Sequence, residues 1–597
     1  MSGLLGWFDP DLDVRREGQT AMALMMDASS RGEGEAATWA GPELVLGLTG
    51  SALCGPAITE RAGQAIVAVC DGYVVGADTT VKPPVPPGGV CAQSAAVLNA
   101  YLSGGLAAVT RLDGVFAFVL WDGRTRELLL GRDRLGIKPL SWTEVADGVV
   151  FASEVAALAA HPRLEAELDA DGLCALLTQL RTPGHGVLRG VREVLPGTVV
   201  ICSAGRRETR SYWSLRAAPH ELDLPTTVGR VREILEDAVA RDLRDIPPAV
   251  LLSGGLDSSV LTGLVARSPG GPAPRTFTVV FGKTAIAVPD RPYAQEVAEF
   301  WKCDHEEIVL RAEELTTPTA RALSLAAKDY PTPFGDKNIT PYLFSRRIAE
   351  GTPTVLSGEG ADAMFGGLGG HIDESRVLTS FPWIERARKF GLPHGLGTGL
   401  FRQDVLGRLD VTGHTDRMFR EALTEVPSLP GDTPVDRLAR QVDYLTTTRL
   451  LEQTVLHSER LGAAAGLHVR FPFADHRLYA FLYNVPARMK SFDGREKSLL
   501  RAIADDLVPS SVLTRSKVPY PITYDKTYKA ALVIRLRDLL DDRSAPVLPL
   551  LDRSRAAAYI EDPKLLDRGG WLGRADVEQV LQLDAWLRRL RVRMVGF

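Results

Sequence analysis

The sequence predicts an α/β protein in two parts. A β-rich N-terminal part runs to about residue 213, and a parallel, doubly wound sheet follows, giving way to helices beyond residue 375. Three observations carry this. Residues 248–260 read P-A-V-L-L-S-G-G-L-D-S-S-V, an apolar run of the kind found in strands buried on both faces, ending in small residues and a carboxylate. Residues 354–362 repeat that design as T-V-L-S-G-E-G-A-D. Before residue 213 the pattern is instead of short apolar runs separated by turn residues.

The N-terminal strands are expected at 44–48, 65–69, 115–120, 128–130, 148–151 and 198–201, with helices at 95–102 and 170–179. The run V-K-P-P-V-P-P-G-G at 81–89 cannot be regular structure and reads as a surface loop. A-A-P-H-E-L-D-L-P-T at 217–226 reads as a linker. Domain boundaries are therefore expected at 1–213, 214–228 and 229–597, and the chain shows no internal repeat.

With 597 residues the chain exceeds what one hydrophobic core supports. A net charge of -5 and a pI near 6.1 argue against a nucleic-acid or anionic-membrane partner. The six cysteines, at 54, 70, 91, 174, 202 and 303, include no C-x-x-C, so neither a zinc site nor a disulfide frame is indicated. No secretory signal and no bilayer-spanning apolar run is present, and a cytoplasmic protein is expected.

In the first of the two loops Val260, Leu261, Leu264 and Val265 recur at helical spacing, so Ser253 to Ser259 should form a strand-to-helix turn. Backbone N–H groups and the helix dipole make such a turn an anion site, and Gly254 and Gly255 let a phosphate approach closely. A Walker loop carries lysine here; this loop carries Asp257, which suits phosphates only with a divalent cation between them. A second loop, ending in Asp362, at the carboxyl end of a neighbouring parallel strand would face the same crevice. Asp257 and Asp362 could then share the metal. The missing positive charge is expected from D-G-R-E-K-S-L-L-R at 493–501 or R-S-K at 515–517, with Lys497 the candidate that neutralises a leaving pyrophosphate. Arg495, Lys497 and Arg501 also fit solvated helix charges. Gly282-Lys283-Thr284 imitates the end of a Walker loop, but Phe277 stands where its first glycine belongs, so that fragment reads as a strand exit.

These motifs, taken with others, resemble the asparagine synthetase superfamily over nearly the whole chain. S-G-G-L-D-S-S at 253–259 resembles its pyrophosphate-binding PP-loop, S-G-E-G-A-D at 357–362 its second loop, and R-F-P-F-A-D-H-R-L at 470–478 and G-R-E-K-S-L-L-R at 494–501 its later motifs. L-D-G-V-F-A-F-V-L-W-D at 112–122, G-R-D-R-L-G-I-K-P-L at 131–140 and F-A-S-E at 151–154 resemble its glutaminase domain, which implies an Ntn-type α/β sandwich before the PP-loop domain. The resemblance implies adenylation of a carboxylate by ATP and Mg, followed by attack of an amine. Leu251, Val279, Ser357 and Gly358 would bound adenine and ribose. Ser253, Gly254, Gly255, Asp257, Ser258 and Ser259 would hold the phosphates, Asp257 and Asp362 the metal, and Lys497 would stabilise the transition state.

Departures from the family pattern narrow the expectation. The glutamine-using nucleophile Cys is Ser2 here, N-G-E-I-Y-N is D-G-Y-V-V-G at 71–76, and S-D-T-E is A-Q-S-A at 92–95, placing Gln93 where the family has aspartate. The N-terminal domain reads as a retained scaffold without glutaminase activity. The second loop keeps Glu359, a candidate base, where β-lactam synthetases carry tyrosine. That loop, Ser2 and the tail L-D-A-W-L-R-R at 583–589 resemble the lasso peptide macrolactam cyclases. This implies a ribosomal core peptide as substrate, with a leader peptidase and a leader-recognition protein as partners. A small-molecule amide synthetase of the β-lactam type, an ammonia-dependent asparagine synthetase and an inactive binding scaffold are the competing readings. His468, in place of the family's glutamate before R-x-P-F, reads as a packed histidine.

Overall fold

The computed structural model describes the chain apart from residues 1, 33–35, 51–54, 76–90, 245, 248, 269–272, 282–289, 367–376, 390–391, 517–522, 524, 570–571 and 597, and only the backbone of 452 and 453. The proline-rich run 81–89, the Gly282-Lys283-Thr284 fragment, Cys54 and Lys517 lie outside the described residues. The chain divides into two compact units. The first comprises Met1–Ser214, Leu325–Tyr330 and Ala585–Phe597; the second comprises Leu215–Ser324 and Pro331–Asp584.

The first unit contains β1 (Gly3–Phe8), β2 (Ala37–Ala40), β3 (Leu44–Thr49), β4 (Ala57–Arg61), β5 (Gln64–Val75), β6 (Asp113–Asp122), β7 (Glu127–Arg132), β8 (Ser141–Val145), β9 (Gly148–Ala152), β10 (Glu167–Leu168), β11 (Val191–Glu193), β12 (Thr198–Ser203) and β13 (Arg206–Ser211). Two six-stranded antiparallel sheets result, of order β11-β8-β9-β1-β3-β2 and β13-β12-β7-β6-β5-β4. Phe8, Leu46 and Phe151 of one sheet and Val67, Val119 and Leu130 of the other share one buried core. The opposite face of the second sheet packs Phe118 and Leu120 against Val97 and Leu98 of the helix Ala92–Val109. On the first sheet, Gly18 and Met22 of the helix Arg15–Ala28 lie against Val45 and Gly47, so close that a Cβ on Gly18 would stand 2.8 Å from Val45. The layering is the α/β sandwich expected for this part.

Two boundaries differ from the sequence reading. The first unit is not contiguous, because later segments complete it. The Asp329 carboxylate accepts the N–H groups of Val155 and Ala156 at 2.7 and 3.0 Å, and Trp586 Nε1 donates to the Asp329 carbonyl at 2.8 Å. Arg593–Met594 adds a parallel partner to β10. The linker expected over 214–228 also ends early, at a helix that spans Leu224–Asp242. Asp223 caps it by accepting the Thr226 N–H, and Pro225 stands in the first turn, where no backbone donor is needed.

The second unit is built on β14 (Ala249–Leu251), β15 (Arg275–Phe281), β16 (Asp304–Leu310), β17 (Thr354–Leu356) and β18 (His468–Arg470), all parallel, in the order β16-β15-β14-β17-β18. Ala249, Phe277, Ile308 and Val355 pack on one face against Phe344 and Ile348 of the helix Gly335–Ala349. The chain runs outward from β14 through β15 and β16, then returns to its other side through β17 and β18. The boundary between β14 and β17 is therefore the switch point where open parallel sheets leave a crevice at the strands' carboxyl ends. The remainder of this unit is almost wholly helical.

Candidate active site

Both glycine-rich loops leave the sheet at this switch point. After β14, Ser253 is exposed and Gly254 adopts φ +78°, a left-handed conformation that L side chains avoid. A Cβ on Gly254 would lie 2.5 Å from both the Ala294 nitrogen and the Asp290 carbonyl, so only glycine lets the turn seat on the next helix, Arg291–Phe300. Gly255 then begins the helix Leu256–Ala266. Its first intrahelical bond is Ser259 N–H to the Gly255 carbonyl, so the amides of residues 256–258 precede the hydrogen-bond ladder, the backbone arrangement that suits an anion.

The serines differ in use. Ser253 Oγ lies 3.0 Å from Ser258 Oγ and accepts the Gly255 N–H at 3.3 Å. Ser258 Oγ also accepts the Ser253 N–H at 3.1 Å and donates to the Gly255 carbonyl at 3.2 Å, closing the loop on itself. Ser259 is buried, and its hydroxyl has no partner among the described residues. Leu251 and Val279 are partly buried on the sheet beside the loops.

After β17, Ser357 N–H donates to the Arg470 carbonyl at 2.9 Å, and Ser357 Oγ accepts the Glu359 N–H at 3.2 Å. Gly358 brings this loop against the first: a Cβ there would stand 2.9 Å from the Ser258 nitrogen. Gly360, at φ +96°, opens the short helix Ala361–Met364 that carries Asp362. Glu359 is half-buried.

The two carboxylates converge on one cation. Lys497 Nζ lies 2.7 Å from each oxygen of Asp257 and 2.5 Å from Asp362 Oδ1, although its residue is 240 positions beyond Asp257. Burial works against the ammonium, but Asp257 and then Asp362 more than compensate, holding its pKa above the ordinary lysine value. Lys497 has a left-handed backbone, φ +56°, immediately before the helix Ser498–Ile503. A side-chain-bearing residue held there costs on the order of 1–3 kcal/mol, strain typical of functional positions. Two carboxylates aimed at a single point are also the protein donor set that fits Mg, which keeps waters and takes phosphate oxygens for its remaining positions. Among the described residues no cluster of three or more His, Cys, Asp or Glu could hold a metal ion.

The sequence marked Arg501 and Arg515 as charges but not their place behind Lys497. Arg501 is buried, not solvated: its guanidinium donates to the Leu513 carbonyl, to the Arg515 carbonyl at 3.1 Å and to the Glu496 carbonyl at 3.0 Å. Arg515 donates to the Gly254 carbonyl at 2.9 Å, pairs with Asp290 and stacks over Tyr293 at 4.2 Å. Arg495 is exposed and bonds Asp493 at 2.7 Å, as a surface charge would. His468 begins β18 and pairs with Thr354, while Arg470, two residues on, pairs with Leu356 next to the second loop.

In the first unit, Ser2 Oγ donates to Asp71 Oδ1 at 2.7 Å. Asp71 is fully buried and also meets Arg31 at 3.2 Å and Lys138 at 3.4 Å. Gln93 spends its side-chain carbonyl on the Val74 N–H at 2.7 Å.

A parallel-sheet unit with two facing glycine-rich loops follows an antiparallel α/β sandwich along the chain, the architecture of a two-domain nucleotide-binding protein. The chain belongs to the asparagine synthase family: the family's model matches residues 230–588, and that of the glutamine amidotransferase domain matches residues 92–213. Asparagine synthetase (glutamine-hydrolyzing) 3 of Bacillus subtilis is 28% identical over 99% of this chain and 99% of its own length. Asparagine synthetase (glutamine-hydrolyzing) 1 of the same organism is 27% identical, over 70% of this chain and 68% of its own. The amidase chry2 of Gibberella zeae is 27% identical over 71% and 72%.

Proposed function

We propose that this enzyme forms an amide bond by adenylating a carboxylate with ATP and Mg, and that the acceptor amine belongs to the substrate itself. The observation that carries this is the convergence of Asp257, Asp362 and Lys497 at the switch point between the two loops. Bound Mg would neutralise phosphate charge during adenylation; Asp257 and Asp362 would hold it. The loop amides and Ser253 would orient the triphosphate, and Lys497 would lie beside the departing pyrophosphate. Glu359, in the second loop, would take the proton that the amine loses as the amide forms.

The source of the amine is argued from the first unit. Ser2 stands where a glutamine-using member needs cysteine, and its hydroxyl is engaged by Asp71. We therefore read the reaction as closure of an isopeptide macrolactam, in which a peptide's N-terminal amine attacks its own adenylated Asp or Glu side chain, as in lasso peptide cyclases. A second reading is asparagine synthesis with ammonia in place of glutamine; it takes its product from the names of the B. subtilis relatives, both glutamine-hydrolyzing asparagine synthetases. The test is ATP–pyrophosphate exchange with two candidates in turn: free aspartate with ammonium, and acidic-side-chain peptides with a free N-terminus. Exchange with a peptide, and a product lighter by one water, supports the cyclase reading. Exchange and asparagine formation from aspartate alone would overturn it in favour of the second.

A further inference from the structure

The side chain of Arg515 is almost wholly buried beside the first loop. Its partners belong to two other pieces of structure. One is the carbonyl of Gly254, the left-handed residue on which the loop turns; the others are Asp290 and Tyr293, at the start of the helix against which that turn is pressed. A left-handed residue reverses the direction of its peptide carbonyl relative to the preceding strand, and a carbonyl so turned needs a donor. Arg515 supplies one while its second arm is fixed by Asp290 and its flat face by Tyr293, a three-way restraint that lysine cannot reproduce. Arg515 is itself held, because Arg501 bonds its carbonyl, and Arg501 lies one helical turn after Lys497.

We infer that Arg515 is a positioning residue for nucleotide binding: with Asp290 it locks the Gly254 peptide, and through Arg501 it ties that loop to the helix bearing Lys497. The inference rests on the adenylation reading and goes beyond it by assigning loop geometry to a residue that touches no reacting atom. Loop amides bind phosphates only when their peptide planes are set in advance, so releasing the Gly254 carbonyl weakens binding without removing a ligand.

The experiment measures binding of α,β-methylene-ATP with Mg by calorimetry, together with thermal unfolding, for the full-length protein. Arg515→Gln and Asp290→Asn are each expected to weaken binding ~10–100-fold, the scale of one hydrogen bond from a charged donor. The double variant should be no weaker than the worse single, because the two side chains act as one unit. Arg515→Lys should fall between wild type and Arg515→Gln, and unfolding midpoints should stay near that of wild type. Wild-type affinity in Arg515→Gln, or losses that multiply in the double variant, would overturn the inference. So would weakening that follows a fall in the unfolding midpoint across all variants, Arg515→Lys included. A wild-type protein that binds no nucleotide would overturn the adenylation reading, and this inference with it.

Discussion

Lys497 shows what a single residue discloses before folding and what it withholds. The motif around it marked it as the charge opposite the pyrophosphate, but nothing local indicated its left-handed backbone or its burial between two carboxylates. Those depend on the 240-residue return of the chain to the first loop. That Asp257 and Asp362 would face one crevice was legible, because each stands just past the carboxyl end of one of two neighbouring parallel strands. Arg515 was legible only as a nearby positive charge, since its partners Gly254, Asp290 and Tyr293 lie more than 200 residues before it. Removing one carboxylate leaves phosphate charge uncompensated, so Asp257→Ala and Asp362→Ala should each slow pyrophosphate release at least ~10²-fold, measured at saturating ATP. Rates near wild type in either would rule out a shared metal. Glu359 makes a sharper case, since a base for the amine is needed only after adenylation. Glu359→Gln should keep nucleotide binding and pyrophosphate exchange while losing amide formation. An α-amine with a pKa of about 7.7–8.0 becomes its own free base as pH rises, so alkaline medium should restore part of the loss. If exchange disappears together with amide formation, and no pH restores either, Glu359 serves the loop and not the proton transfer.

At the scale of elements, the six expected N-terminal strands fall on β3, β5, β6, β7, β9 and β12, with β5 and the helix Ala92–Val109 longer than their expected cores. By contrast β1, β2, β4, β8, β10, β11 and β13 were missed, β1 although it is an apolar run that ends at Asp9 and Pro10. The start of the helix Leu224–Asp242 was missed because Pro225 was read as a linker residue, whereas the preceding Asp223 makes the same proline a first-turn signal. Least legible was how the late helices fasten to one another. Glu578, on the helix Leu572–Arg589, accepts the Gly335 N–H at 2.6 Å and the Tyr528 hydroxyl at 2.8 Å, beside Arg574 and Asp336. Burial raises its pKa from 4.5 to about 7; Arg574 opposes that rise and Asp336 adds to it. A carboxyl whose folded pKa is raised binds its proton more tightly when folded, so its contribution is fully present below about 4.5 and fades as pH climbs through about 7. Wild type should therefore lose stability relative to Glu578→Gln across that window, and the difference should be level on either side of it. Urea unfolding at a series of pH values measures this, and a difference constant from pH 4 to 8 would refute the assignment.

For the whole chain, the change from short antiparallel patterning to strands alternating with helices announced two units, since those patterns obey different burial rules. That the first unit would also recruit Leu325–Tyr330 and Ala585–Phe597 was hidden, because a short helical piece declares its partner only by tertiary fit. The first unit also carries the clearest prediction about the reaction as a whole. A glutamine-hydrolysing domain needs an N-terminal nucleophile that can attack, and here position 2 offers a hydroxyl already donating to Asp71. Serine is a poor nucleophile unless a base activates it, and Asp71 is committed to Arg31 and Lys138 as well. Ser2→Ala removes one of the hydrogen bonds to Asp71 and leaves both cations in place, so stability should fall by no more than about 1 kcal/mol. Purified protein given glutamine should release no glutamate, and Ser2→Ala should form its amide product at the wild-type rate when the substrate carries its own amine. Glutamate released by wild type and lost in Ser2→Ala would make Ser2 a working nucleophile, and the amine would then come from glutamine after all.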